Sequence, residues 1–172
     1  MSGEKKSRSV LRAEEPLVSY EQVLLSQINY CAKVSSESFS LCVDNLISLL
    51  PSELRAEVLR EYDEIESLLV KHIVEEVKDC RLEDEHLTCD LALVEALETH
   101  DRVVSRVKAE KPDLYLKHGH VLGGLVLDLL INKPVQHIAN YKLKFSIVLH
   151  KLLELQIVAP KNAALYVGRV EG

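Results

Sequence analysis

Apolar residues recur at intervals of three and four from Ser19 onward, which is the spacing that places them on one face of an α-helix. The pattern predicts two helices of moderate length before Pro51. We expect the pair Ser35-Ser36 to separate and cap them, because serine hydroxyls accept hydrogen bonds from the free amides at a helix start. The apolar positions are Tyr20, Leu24, Ile28 and Cys31 in the first helix, then Phe39, Cys42, Leu46 and either Leu49 or Leu50 in the second.

The third helix has the most regular pattern in the chain, and it is expected from about Ser52 to about Asp79. Asp84 can cap a fourth helix that continues to Pro112. Two long helices joined by a few residues form an antiparallel hairpin, and its apolar stripes need partners. Those partners are either the first two helices or a second copy of the chain.

The chain becomes more apolar after Pro112. A helix is predicted from His118 to Asn132, and its Gly123 and Gly124 indicate close packing against another backbone. Three further elements are expected after a break at Lys133-Pro134, namely a short helix from Val135 to about Tyr141, a helix from Leu143 to Leu155 and a β-hairpin in residues 157–170.

The last third of the chain carries a familiar order of residues. They are Leu125, Leu127 and Leu130 in a first helix, the Lys133-Pro134 break, Ile138-Ala139 in a second helix, Phe145 to Leu155 in a third helix with Leu149, Leu152 and Leu153 facing inward, and Ile157-Val158 at the start of a ribbon. This order resembles the winged helix-turn-helix family. In that family the third helix enters the major groove, and the two-stranded wing contacts the DNA backbone. The sequence departs from the family pattern in two ways. The spacing from Ile138-Ala139 to Leu152 is about one residue shorter than in the family, and Gln156 stands where a glycine usually ends the helix.

The resemblance implies a set of residues that contact double-stranded DNA. Short or basic side chains on the recognition helix and the wing can reach phosphates and base edges. By position in this sequence they are Lys142, Lys144, Ser146, His150 and Lys151 on or before the recognition helix, and Lys161, Asn162 and Arg169 on the wing.

Charge is distributed unevenly along the chain. The whole sequence has 21 basic and 27 acidic residues, a formal charge of −6, yet residues 112–172 hold seven basic and four acidic residues and carry +3. The remaining residues 1–111 carry −9, although the first twelve are +3. We therefore divide the chain into a basic arm (residues 1–17), an acidic helical bundle suited to self-association (18–111) and a winged-helix-like module (112–172). The predicted fold class is mainly all-α, a long antiparallel helical hairpin or bundle followed by that module with its short β-hairpin.

Enzymatic and metal-dependent functions find little support. The sequence contains no nucleophile elbow, phosphate-binding loop, dinucleotide fingerprint or zinc-protease motif, so we expect no enzyme and no cofactor. Cys80, His86 and Cys89 form one candidate metal cluster, and His118-Gly119-His120 forms another. Neither has the tight ligand spacing of a structural zinc site, so no metal is expected. Aromatic residues are only 5% of the chain, which disfavours binding of single strands by base stacking.

The four cysteines allow two interpretations. They are buried small hydrophobic residues, or an intracellular disulfide forms between Cys31 and Cys42 or between Cys80 and Cys89, as in some hyperthermophile proteins. No apolar run is long enough to span a bilayer and no secretory signal is evident, so we expect a cytoplasmic protein without membrane contact.

Two functional hypotheses follow. The first is a non-enzymatic DNA-binding protein, a transcriptional regulator or DNA-architectural factor, that forms a homodimer or higher oligomer through its acidic helices. The second is a structural or scaffold protein, for example a subunit of a larger complex or a viral or phage structural component, whose helical bundle and winged helix dock partner chains.

Overall fold

The structure is a computed structural model that describes residues 15–83, 86–89, 91–131 and 138–158. It forms two compact units, Met1–Leu50 and Pro51–Gly172. Most described residues are helical, which confirms the prediction of a mainly α-helical chain. No helix in these ranges is long and apolar enough to cross a membrane. The elements are α1 (Glu15–Lys33), α2 (Ser36–Leu49), α3 (Ser52–Glu76), β1 (Arg81–Glu83), β2 (His86–Thr88), α4 (Leu93–Glu110), α5 (Pro112–Leu130) and α6 (Ile138–Glu154).

The first unit contains α1 and α2, which lie where the apolar spacing predicted them. Leu24 and Ile28 of α1 pack in the core with Phe39 and Leu46 of α2, and each of these side chains is at most 1% exposed. The two helices are separated by a break at residues 34 and 35, and Ser35 is the N-cap of α2. The predicted break is therefore confirmed.

A disulfide joins the two helices of this unit. Cys31 of α1 and Cys42 of α2 are bonded, with 5.6 Å between their Cα atoms, and both are buried. The Gln27 amide nitrogen donates a hydrogen bond to the Cys42 carbonyl at 3.2 Å, and the Tyr20 hydroxyl donates to the Leu49 carbonyl. A cross-link and polar contacts thus supplement a core that only two helices enclose.

In the second unit α3 and α4 form the predicted antiparallel pair. Arg102 near the middle of α4 contacts Glu76 at the end of α3, whereas Glu110 at the end of α4 contacts Lys71 and His72 earlier in α3. The apolar faces of the pair are covered from within the same unit, because α5 packs against α4 and α6 packs against α3. The sequence predicted that α1 and α2 or a second copy would cover these faces, whereas α5 and α6 pack on them.

The segment between α3 and α4 was predicted wrongly. A fourth helix was expected from Asp84, but α4 begins at Leu93 and an antiparallel β-hairpin precedes it. Leu82 pairs with Leu87 in this hairpin, and a disulfide joins Cys80 to Cys89 across its open end. The four-residue spacing of Leu87 and Leu91 imitates a helix turn, while the polar neighbours of Leu82 and Leu87 give the alternation that a short strand needs.

All four cysteines are therefore both buried and paired. This is the second of the two alternatives that the sequence left open. Disulfides persist in oxidising compartments and in the cells of some hyperthermophiles, and they are rare in the cytosol of other organisms.

Helix α6 departs from the predicted helix-turn-helix arrangement. A short helix to Tyr141 and a separate recognition helix from Leu143 were expected, but residues 138–154 form one continuous helix. No glycine or proline lies between Ile138 and Glu154, and Ala139 and Leu143 keep the buried spacing across the supposed turn. The Lys133-Pro134 break, the Val135 start and the predicted hairpin from residue 159 onward lie outside the described residues.

Helix α6 is also buried on nearly all sides. The five consecutive residues 145–149 are buried, and no side chain from Ile138 to Leu153 is fully exposed. A helix that is buried around its circumference belongs to the centre of a core. Together with the packing of α5 against α4, this places α5 and α6 in the same compact unit as α3 and α4, and that unit begins at Pro51.

Helix α5 begins earlier than predicted, at Pro112, where the missing amide of proline costs no hydrogen bond. Gly123 does allow a close approach, because a Cβ there would lie 2.9 Å from the His100 ring, but the neighbour is a side chain and not a backbone. A Cβ on Gly124 would meet nothing within 4 Å. The expected packing against another backbone is therefore found at neither glycine.

The end of α6 adopts the cap that usually requires glycine. Gln156 has a φ of 64°, its amide donates to the Leu153 carbonyl at 3.0 Å, and the Ile157 amide donates to the Leu152 carbonyl at 2.9 Å. These two bonds define a Schellman motif, with Gln156 in the left-handed position. Gln156 is also a position at which the sequence departs from the winged-helix pattern. A glycine is preferred at such a position because its φ is positive.

We expect Gln156→Gly to raise the free energy of unfolding by about 1 kcal/mol, because it removes the steric cost of a side chain at positive φ. Urea unfolding followed by circular dichroism measures the change. Leu155→Gly is the matched control, since it adds a glycine one residue earlier, where no positive φ is relieved, and it should destabilise. Equal losses of stability in both variants would contradict the assignment.

Candidate functional site

A buried histidine lies where α3, α5 and α6 meet. His118 of α5 has no exposed surface, and its Nδ1 lies 2.8 Å from the Ser146 hydroxyl of α6. The His150 ring packs edge-on against it with 5.0 Å between ring centroids. The Nε2 atom lies 3.7 Å from a carboxylate oxygen of Glu61 on α3 and has no hydrogen-bond partner.

His118 is neutral at ordinary pH. Burial, the largest cause, and repulsion by the neighbouring His150, His120 and Lys117 together lower its pKa from 6.5 to about 3. The contact with Glu61 is therefore not an ion pair, although its length fits one. The tautomer with hydrogen on Nε2 directs an N–H toward the carboxylate and leaves Nδ1 to accept the hydrogen bond that the Ser146 hydroxyl donates.

Serine, histidine and glutamate in this order resemble the parts of a nucleophilic site, but the burial argues for a structural role. Ser146 is only 2% exposed, so a substrate cannot reach its hydroxyl. An activated nucleophile must be accessible to the bond that it attacks. The hydrogen bond between Ser146 and His118 satisfies two polar groups inside the core, where leaving either without a partner is costly.

Lys151, one of the predicted DNA contacts, is held by carboxylates of α3. Its Nζ lies 3.3 Å from Glu61 and 3.7 Å from Glu57, and its side chain is 21% exposed. Burial alone would lower the pKa of Lys151, but attraction by Glu61, together with Glu154 and Glu57, outweighs it and raises the pKa. The charge of Lys151 is thus neutralised within the unit.

Lys144, another predicted contact, lies over two aromatic rings. Its Nζ is 4.9 Å from the centroid of Tyr62 and 5.1 Å from that of Tyr141. Burial and the nearby Glu66 carboxylate raise the pKa of Tyr62, so its ring remains a neutral partner for the cation. Lys144 therefore joins α6 to α3 through a cation–π contact.

The five predicted DNA-binding residues that lie in the described part of the chain do not form one exposed surface. Ser146 is buried, and that position is inconsistent with a contact to DNA. His150 and Lys151 converge with it on the site around His118 and Glu61, and Lys142 is half-buried at the start of the helix. Lys161, Asn162 and Arg169 lie outside the described residues.

Ion pairs also bind α3 to α4. Arg106 contacts Glu75 at 2.6 Å and Glu76 at 3.3 Å, and Arg102 contacts Glu76 at 2.7 Å. The hydrogen bond from Arg102 is the main reason that the pKa of Glu76 is lowered. Glu75 and Glu76 of α3 are therefore paired with bases of α4.

The polar chain continues to His72, which is buried. Arg106 donates from Nε to His72 Nδ1 at 3.2 Å, so the ring carries its hydrogen on Nε2 and donates to Glu110 at 2.8 Å. Burial alone would raise the pKa of Glu110, but Lys71 and His72 outweigh that effect and lower it. Because Nδ1 is the acceptor, its 3.7 Å approach to Glu75 is not an ion pair.

A cleft of about 600 Å³ opens beside this network, between α3, the end of α4 and the start of α5. Charges of both signs surround it, and Glu61 links it to the site of His118. The lining residues are Glu61, Glu64, Ile65, Ser67, Leu68, Lys71, Glu110, Lys111 and Leu114.

The candidate metal clusters take other roles in the described part of the chain. Cys80 and Cys89 form a disulfide, and His118 forms a hydrogen bond with Ser146. Among the described residues, no group of three or more His, Cys, Asp or Glu side chains is arranged to hold a metal ion.

Comparison with known proteins gives no relative. No family model, no curated protein and no solved structure matches this chain.

Proposed function

We propose that this protein is a non-enzymatic scaffold that assembles with a second copy of itself through the helical unit that begins at Pro51. The observation that carries the proposal is an exposed apolar surface on the first two turns of α4. Leu93 is 57% exposed, Val94 69% and Leu97 49%. We call these three residues the α4 patch.

The position of the α4 patch supports an interface. The opposite side of α4 supplies the core residues Ala96 and Val103, so the patch is not needed for the fold of the unit. Single exposed apolar residues are ordinary, but neighbouring ones on a helix face favour contact with another protein. A two-fold contact needs only one such surface, because the same residues serve on both copies.

The structure offers less support for the DNA-binding hypothesis. A recognition helix needs an exposed face, whereas α6 has none between residues 138 and 153. Lys144 and Lys151 already have partners within the unit. Counterion release requires about one free basic contact for each phosphate neutralised.

The test is the mass of the full-length protein across a dilution series, measured by sedimentation or light scattering. We expect an oligomer that Leu97→Lys weakens at least tenfold in dissociation constant, since about 1.4 kcal/mol of lost apolar burial has this effect. Leu116→Lys is the control, because Leu116 of α5 is 83% exposed and lies outside the patch. A monomer at every concentration would refute the proposal.

A gel shift with random duplex DNA at low and moderate salt distinguishes the alternative. If the protein binds DNA and replacing Lys142, Lys144 and Lys151 together abolishes that binding, the DNA-binding hypothesis is favoured. The folded state of the triple variant must be checked by circular dichroism, because Lys144 and Lys151 also join α6 to α3.

A further inference from the structure

Among the described residues, strand β1 pairs only with β2, and its other edge is open. All three of its residues are exposed, and Leu82 is 55% exposed. Its hairpin partner β2 is better covered, since Leu87 and Thr88 are half-buried. An exposed strand edge presents unpaired backbone groups to any strand that can complement it.

The register of the hairpin shows which backbone groups point to that edge. Arg81 pairs with Thr88, Leu82 with Leu87 and Glu83 with His86, so Cys80 and Cys89 are also opposite each other. Their Cα atoms are 4.3 Å apart, the short spacing of a pair without mutual hydrogen bonds. Such pairs alternate with hydrogen-bonded ones along a ladder. The backbone groups of Arg81 and Glu83 therefore form hydrogen bonds with β2, while the N–H and C=O of Leu82 point away from β2.

We propose that β1 pairs antiparallel with β1 of a second copy, about a two-fold axis at Leu82, to give a four-stranded sheet in the order β2-β1-β1-β2. Leu82 then exchanges both of its outward hydrogen bonds with Leu82 of the second copy. This inference rests on the proposed self-association, and it adds a second contact between copies to the one proposed at the α4 patch.

The charges of β1 are complementary to themselves in this register. Arg81 of each copy stands opposite Glu83 of the other, so two opposite-charge pairs flank the axis. Within one chain Arg81 and Glu83 approach only to 3.8 Å, and their side chains are 69% and 60% exposed. A surface contact of this kind contributes little, so both groups are available for cross-strand pairs.

The apolar residues are complementary as well. Leu82 and Leu87 are cross-strand neighbours in the hairpin, and side chains of directly paired residues share one face of a sheet. Pairing of two copies therefore produces a row of four leucines across the sheet, with the charged pairs on the other face. The same row would be interrupted by a partner strand that lacked an apolar residue opposite Leu82.

Charge exchange tests this register in the full-length protein. We expect Arg81→Glu and Glu83→Arg to weaken self-association at least tenfold each, because each places like charges opposite one another on both sides of the axis. The double variant R81E/E83R restores opposite charges, and its dissociation constant should return to within threefold of that of the unmodified protein. Sedimentation across a dilution series gives the dissociation constants.

Arg60→Glu is the matched control, since it makes the same charge change at an exposed position of α3. Circular dichroism checks the fold of each variant, and recovery in R81E/E83R shows that a loss in the single variants is not misfolding. An oligomer that Arg81→Glu leaves unchanged, or that the double variant does not restore, overturns the β1 contact and leaves the scaffold proposal standing. A monomer at all concentrations overturns both.

Discussion

Lowering the pH from 7.5 to 4.5 should reduce the free energy of unfolding of the second unit by about 3 kcal/mol through His118 alone. The pKa of His118 is lowered from 6.5 to about 3 in the folded protein, so the unfolded chain takes up the proton first. The contribution of His118 to the free energy of unfolding has its full value above pH 6.5, decreases as the pH falls from 6.5 toward 3, and does not change further below about 3. Urea unfolding at a series of pH values measures the slope.

His118→Gln is the control, because its amide does not titrate and can still bond with the Ser146 hydroxyl. Its stability should change less than that of the unmodified protein between pH 7.5 and 4.5. This window ends at 4.5, the ordinary pKa of a glutamate, and Glu76 and Glu110, whose pKa values are lowered, lose most of their stabilising contribution below it. If the free energy of unfolding depends on pH in the same way in both proteins, the pKa of His118 is not lowered in the folded protein.

Removing the disulfide between Cys31 and Cys42 should lower the free energy of unfolding of the first unit by about 3 kcal/mol, from the chain entropy that the cross-link removes. In the described residues this unit has only α1 and α2 to enclose its core, and chains of such size usually need a cross-link or another support. The variant C31A/C42A in the full-length protein tests this. Hydrogen exchange of the α1 and α2 amides should become faster by about a hundredfold, the equivalent of this energy.

The variant C80A/C89A is the matched control, since it removes a disulfide of similar loop length from the second unit. It should leave exchange in α1 and α2 unchanged. If C31A/C42A likewise has no effect there, the two helices are held by their apolar contacts alone.

The sequence predicted those elements in which local spacing and tertiary packing agree. The end of α1, the bounds of α2 and the antiparallel course of α3 and α4 follow from apolar periodicity and from the break at Ser35, whereas α1 begins at Glu15, earlier than the predicted start at Ser19. The prediction failed where spacing was ambiguous, as at Leu87, and where a family template introduced a turn before Leu143 that no glycine or proline supports. The winged-helix resemblance itself stays a prediction, because much of the segment that carries it lies outside the described residues.

The site around His118 was not predictable in the same way. His118 and Ser146 are separated by 28 residues, and Glu61 belongs to a third helix, so no local motif unites them. One signal was present, since Ser146 follows the buried Leu143 by three residues and shares its face. That spacing favours a core position for Ser146 over a position on a DNA-contacting surface.

The central position of α6 has a consequence for synthesis of the chain on the ribosome. Helices α3 and α5 pack against α6, which is not complete until Glu154 has been added. At about 5 to 20 residues per second, the interval between the ends of α3 and α6 lasts roughly 4 to 16 s. The first unit is able to fold during this interval, whereas the apolar faces of α3 and α5 wait for the helix that covers them. While synthesis is paused before α6, the apolar faces of the second unit are thus most accessible to chaperones and most prone to aggregation.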